Sequence, residues 1–230
     1  MPSSSSRVRV VIIDYGLGNL YSVKQACAHS GLQAEITSAL SDVMAADAVI
    51  LPGVGAFGDA MATLRQLNLD TGIREFVASG KPLLGICLGM QLLMSESHEF
   101  GRHDGLGIVP GRVVRLDGAA VGPRRFKVPQ IGWNAIHKAR SASEQPDPWQ
   151  GTLLDGVADG EPMYFIHSYV VEPSDPQVVL SSSLYGSLQF CSSLRYGNVM
   201  ACQFHPERSG PRGLDVYRTW ARLIINGEAV

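Results

Sequence analysis

Nowhere in this sequence do apolar residues run on for the ~20 positions that a membrane-spanning helix needs, so no membrane span is expected. Charge is sparse as well. Only 17% of residues are charged and the formal net charge is -2, which leaves no basic footprint for nucleic acid or an anionic membrane. Cysteine is scarce: Cys27, Cys87, Cys191 and Cys202 form no C-x-x-C pair and no framework spacing. That argues against a disulfide scaffold and for a reduced, cytoplasmic protein. Nothing in the pattern calls for a metal or a cofactor. The start, Met1-Pro2 and four serines, lacks the apolar centre of a signal peptide. Residues 1–7 read as a disordered lead-in and residues 8–230 as one domain. A chain of 230 residues, 45% of them hydrophobic, is long enough to bury its own core.

What is present is an alternation of buried strands and helices. Residues 8–13 read as a largely apolar run with β-branched residues, and residues 48–51 and 82–86 as further short apolar strands, as expected of strands covered on both faces. Between them, Asn19 is placed to cap a helix that stops at Gly31, and further helices are expected from about residue 59 and over 71–79. Strand, helix, strand, helix in this order predicts an α/β, doubly wound, mostly parallel sheet flanked by helices. The C-terminal half adds strands over 113–116, 131–136, 163–171, 177–184, 189–194 and 199–204, with Tyr196-Gly197-Asn198 as a hairpin turn. A closing amphipathic helix is expected over 213–225, and the polar stretch 138–148 reads as a mobile loop.

Three segments carry chemistry. Gly85-Ile86-Cys87-Leu88-Gly89 sits where a buried strand should turn into a helix. Such an elbow holds a nucleophile in a strained conformation, and the helix N-terminus and the Leu88 amide favour negative charge there. The plain alternative is a buried cysteine between packing glycines. His205-Pro206-Glu207 follows an apolar strand, at the strand end where α/β proteins place their sites. A carboxylate on one ring nitrogen fixes the tautomer and leaves the other to take a thiol proton. His167 is the competing base, but it has no carboxylate nearby in sequence. Pro52-Gly53-Val54-Gly55 closes the second strand and can turn amide N–H groups toward an anion. A phosphate loop would need Lys-Ser/Thr after it, and Gly55-Ala56-Phe57-Gly58 supplies neither. Cys27, Cys191 and Cys202 are expected in the core, the last two as possible neighbours across a hairpin.

In this order and spacing, Leu51-Pro52-Gly53, Gly85-Ile86-Cys87-Leu88-Gly89-Met90-Gln91 and Gln203-Phe204-His205-Pro206-Glu207 resemble the class I, or triad, glutamine amidotransferases. Asp14-Tyr15-Gly16-Leu17-Gly18-Asn19-Leu20, Gly132-Trp133-Asn134 and Phe165-Ile166-His167-Ser168-Tyr169 narrow the resemblance to the glutaminase subunits of imidazole glycerol phosphate synthase. The resemblance implies glutamine hydrolysis, with ammonia passed to a TIM-barrel cyclase in a heterodimer of histidine biosynthesis. It implies Cys87, His205 and Glu207 as a triad, and Val54 and Leu88 as oxyanion donors. Gly53, Gln91, Glu99, Ser168 and Tyr169 would contact glutamine, and Asn19, Trp133 and Asn134 would face the cyclase. Gln130 departs from the pattern, standing where many relatives are expected to have His. A stand-alone cysteine hydrolase and a non-catalytic interaction module are the rival readings.

Overall fold

The computed structural model describes residues 8–117, 120–121, 124–139 and 147–227. The expected lead-in over 1–7 and the central part of the 138–148 stretch fall outside these residues. The first half alternates as expected: β1 (Val10–Ile13), α1 (Leu20–His29), β2 (Ala34–Thr37), α2 (Leu40–Ala45), β3 (Ala48–Leu51), α3 (Phe57–Gln66), α4 (Leu69–Ala78), β4 (Leu83–Ile86) and α5 (Leu88–Leu92). The Asn19 side chain accepts from the Ser22 amide, so it caps α1. The second half holds β5 (Met94–Ser97), β6 (Val109–Arg115), β7 (Gln130–Ala135), β8 (Pro162–His167), β9 (Tyr169–Pro173), β10 (Val179–Tyr185), β11 (Leu188–Tyr196), β12 (Val199–Cys202) and α6 (Gly210–Asn226).

The main sheet runs, from one edge, through the two-residue strand His137–Lys138, then β10, β11, β12, β4, β3, β1 and β2. The block from β12 to β2 is parallel, and β10 and β11 extend it antiparallel. Strand side chains alternate between faces, and β1 uses both. Val10 and Ile12 pack toward α1 and α6, whereas Val11 and Ile13 pack toward α2, α3 and α4. This two-sided cover is why the strands read as continuous apolar runs.

The structure revises four expectations. β2 and α2 were not anticipated, because their apolar pattern is too short and mixed to register. The 163–171 run is two strands broken at Ser168, pairing with β7 and β6 respectively. Lys138 lies in the edge strand rather than in a loop. Cys191 and Cys202 are not neighbours across the hairpin: Cys202 faces Ser193, and the two sulfurs belong to cores on opposite sides of the sheet.

Candidate active site

Four strand ends meet at the carboxyl edge of the parallel block, the usual place for a site in an open α/β sheet. β1 delivers Tyr15, β3 delivers Pro52 and Gly53, β4 delivers Cys87, and β12 delivers Gln203 and His205. Cys87 has φ 55° and ψ −111°, a strained conformation for a residue with a Cβ and one that such an elbow imposes. Gly89 makes the elbow possible. A Cβ there would collide with the Leu51 carbonyl, so only glycine lets α5 close on β3. At five residues, α5 is too short to offer much macrodipole, so local hydrogen bonds must supply what the sequence reading assigned to the helix.

His205 is pinned by its backbone. Its amide donates to Tyr164 O at 2.9 Å and its carbonyl accepts from Ser209 Oγ at 2.7 Å. Its Nδ1 lies 2.7 Å from Glu207 Oε1, with both side chains buried. Nδ1 therefore carries the proton that bonds Glu207, and Nε2 is the free base nitrogen. Nε2 is buried and makes no contact of good hydrogen-bonding geometry among the described residues. Burial works against charging this ring. The neighbouring Cys87 sulfur and the Glu207 carboxylate outweigh it and push the imidazole up to about 10. A ring so placed holds a proton once it has taken one from the thiol.

His167 behaves oppositely. Burial drives it down to about 4, with the His205 charge adding to the effect against a backbone hydrogen bond to Tyr169. Its Nδ1 is 3.0 Å from Tyr169 O, so that nitrogen carries the proton of a neutral ring. It cannot retain a thiol proton near neutral pH. The unfolded chain protonates His167 below about 6.5, while the folded chain does so only near 4. Stability is thus full above pH 6.5 and lost as pH falls through that window, by about 2 kcal/mol at pH 5. His167→Asn should lose about 2 kcal/mol less than the parent between pH 7 and pH 5 in urea unfolding. Equal losses would show that His167 is not buried neutral.

Beside Cys87 lies a cavity of about 280 Å³ lined by Val54, Gly55, Cys87, Leu88, Gln91, Glu99, Pro129, Ile166, His167, Ser168 and Tyr169. Of the residues expected to contact substrate, Gln91, Glu99, Ser168 and Tyr169 line it. Gly53 does not; it sits beneath, where a Cβ would strike the Tyr15 hydroxyl. Tyr15 entered the sequence reading only as part of a motif, with no role of its own, yet its hydroxyl donates to Pro52 O at 2.7 Å and anchors the loop. Glu99 accepts from the Phe57 amide at the start of α3 at 2.6 Å, which fixes its carboxylate at the cavity wall.

The Leu88 amide donates to Gly53 O at 3.4 Å. In a planar trans peptide, N–H and C=O point opposite ways, so the Val54 N–H is turned from the site. One expected oxyanion donor is occupied and the other averted. Asn19 is exposed, and Trp133 is 58% exposed and meets the Tyr164 ring edge-on. Asn134 is half-buried and donates to Leu184 O. Arg208, next to Glu207, stacks over Tyr164 at 4.3 Å.

A thiol at an elbow, an imidazole oriented by a carboxylate, and a small polar-walled cavity beside them are the equipment of cysteine-dependent acyl transfer on an α/β sheet. Residues 11–221 match the family model described as glutamine amidotransferase class-I. The chain is 45% identical over 216 residues to the imidazole glycerol phosphate synthase subunit HisH of Rhodopirellula baltica, covering 94% of this chain and 98% of that one. With the HisH subunit of Aquifex aeolicus the identity is 44%, covering 94% and 97%. Among solved structures, a glutamine amidotransferase aligns with a TM-score of 0.69 at 20% identity over 93% of this chain and 98% of that one. PurLQS from Thermotoga maritima aligns at 0.68 and 17%, over 95% and 99%; both likenesses concern the fold. The chain belongs to the class-I glutamine amidotransferase family, and within it to the HisH subunits of imidazole glycerol phosphate synthase.

Proposed function

We propose that this subunit hydrolyses glutamine to glutamate and ammonia through a thioester on Cys87. The ammonia passes to a TIM-barrel cyclase subunit, its partner in a heterodimer. There it serves to make imidazole glycerol phosphate and aminoimidazole carboxamide ribotide in histidine biosynthesis. The observation that carries this reading is the convergence of Cys87 with the buried His205–Glu207 pair beside the cavity of Gln91, Glu99, Ser168 and Tyr169.

The geometry supports the following steps. Glutamine lies in the cavity, with the Glu99 carboxylate toward its α-ammonium group. His205 Nε2 takes the thiol proton, and the thiolate attacks the carboxamide carbon. The resulting oxyanion is held by the Leu88 and Val54 amides. His205 returns the proton to the departing nitrogen, releasing ammonia and leaving a thioester. Water, deprotonated by His205, then attacks the thioester and frees glutamate and the thiol. Asn19, Trp133 and Asn134 form part of the face that meets the cyclase. Residues 8–230 act as a single domain of a cytoplasmic enzyme.

The state of the Gly53–Val54 peptide sets the test. With one donor averted, an oxyanion hole loses roughly 10²–10³ in kcat. The free chain should therefore bind glutamine but release glutamate slowly. The cyclase with its ribotide ligand should raise kcat by about 10²–10³ with little change in KM, because the gain is specific to the transition state. Steady-state glutamate release by free chain, binary complex and ligand-loaded complex measures it. No glutamate release in any state would overturn the function. Full activity in the free chain would overturn the gating and favour the stand-alone hydrolase.

A further inference from the structure

Gln203 is a fully buried polar side chain that the steps above do not use. It follows β12, whose Cys202 carbonyl accepts the Cys87 amide at 2.8 Å, and its own amide donates to Ser192 O at 2.9 Å. The backbones of Cys87 and Gln203 are thus locked beside one another. The Gln203 Nε2 donates to Cys87 Sγ at 3.6 Å, a normal length for an N–H bond to the larger sulfur atom. Its Oε1 accepts from Gln91 Nε2 at 3.0 Å, and Gln91 Nε2 also donates to Tyr169 O at 3.0 Å.

This second pair of bonds settles which way the Gln203 amide faces. Both hydrogens of Gln91 Nε2 are committed, one to a backbone carbonyl that can only accept. Turning the Gln203 amide over would set donor against donor at Gln91 and an oxygen lone pair against the sulfur. We infer that Gln203 is a catalytic residue that stabilises the Cys87 thiolate through its amide N–H, and that Gln91 is the positioning residue that keeps that N–H aimed at the sulfur.

The electrostatics around the sulfur give the bond a purpose. The Ile166 carbonyl lies 3.8 Å from Sγ and accepts from the thiol, which favours the neutral form. Tyr15, Cys202 and His205 all interact with the Cys87 charge. Of these only His205, paired with Glu207, becomes a cation; the buried Tyr15 hydroxyl is already donated to Pro52 O. Gln203 therefore gives the sulfur a fixed neutral donor beside the His205 cation, in place whenever the thiolate forms before attack or is released from the thioester. A neutral amide does so without a buried charge, whose desolvation would be far costlier.

The inference rests on Cys87 being the nucleophile, so the test reads the thiol without glutamine. The full chain is treated with iodoacetamide from pH 6 to pH 10, and the modified cysteine is identified by peptide mass. Cys27, Cys191 and Cys202 are buried and serve as internal references. Gln203→Met keeps the volume but removes the donor. Its Cys87 should alkylate about tenfold more slowly than the parent at pH 7, with the deficit closing toward pH 10. Gln203→Glu should be slower still at pH 7, since a carboxylate there repels the thiolate. Gln91→Met, which leaves Gln203 in place but frees its amide to turn, should show a smaller deficit in the same direction. In the ligand-loaded complex, Gln203→Met should lower kcat more than it changes KM. Folded variants with parental alkylation rates, or with a deficit equal at every pH, would overturn the role of Gln203 while leaving Cys87 as nucleophile. A parental Cys87 no more reactive than the three reference cysteines would overturn both.

Discussion

Cys87→Ala is expected to bring glutamine hydrolysis by the assembled enzyme down to background and to leave the fold intact. The loss is complete because the proposed route runs through a thioester, and no neighbouring atom replaces the sulfur. The fold survives for a local reason. Alanine keeps the Cβ, so the strained φ of 55° is neither relieved nor worsened. The Cys87 amide bond to Cys202 O, which ties the elbow to β12, uses no side-chain atom. Deleting one buried sulfur costs on the order of 1 kcal/mol. Synthesis driven by added ammonia should continue at the parental rate, because that half-reaction never meets the thiol. Glutamate release and ammonia-dependent synthesis, measured side by side on the complex, check both halves. Near-parental glutaminase activity in the variant would disprove the mechanism.

His205→Ala should be nearly as damaging, with kcat falling by about 10⁴–10⁶, whereas Glu207→Gln should cost one to two orders of magnitude less. The asymmetry follows from what each group does. In the proposed mechanism His205 Nε2 carries the proton in both half-reactions, and His167, held neutral near 4, cannot stand in for it. Glu207, in the same mechanism, does not touch the substrate. It orients the ring through a 2.7 Å bond to Nδ1 and supports the imidazolium. The amide that replaces this carboxylate in the variant could keep one bond to Nδ1 through its oxygen but would lose the charge. The kcat values of the two variants in the ligand-loaded complex decide the assignment. A Glu207 variant worse than the His205 variant would reverse the roles, and a silent His205 variant would return His167 to contention despite its depressed basicity.

Much of the frame was legible in the sequence because it is written in local patterns. β1, β3 and β4 are covered on both faces and so appear as short apolar runs, β3 ended by Pro52-Gly53. Asn19 announces α1 through capping chemistry that needs only its immediate neighbours. The elbow cysteine and the His205–Glu207 pair were visible because each is a short contiguous segment whose residue types have few uses together. β2 escaped notice because it is an edge strand of four residues with mixed burial. β5 was missed because its pairing partner β6 gives it a partly solvated face and no apolar run.

The sequence by itself therefore determined the strand–helix alternation of the first half and its parallel core, and it singled out Cys87, His205 and Glu207 as candidates for nucleophile, base and orienter, with His167 as a competing base. Each of these depends on contacts within a few residues or on periodic burial. Tertiary structure alone decided the rest. Gln203 and Gln91 stand 112 positions apart, and no local pattern reveals that one amide aims the other at the sulfur. The choice between His205 and His167 as base rests on burial and on which charges lie nearby, and these exist only once β8, β12 and α5 are packed together. The Gly53–Val54 peptide adjoins Gly53, whose φ/ψ freedom leaves its orientation unfixed by local sterics. Its orientation is set by packing, through the Tyr15 anchor on Pro52 and the Leu88 amide on Gly53.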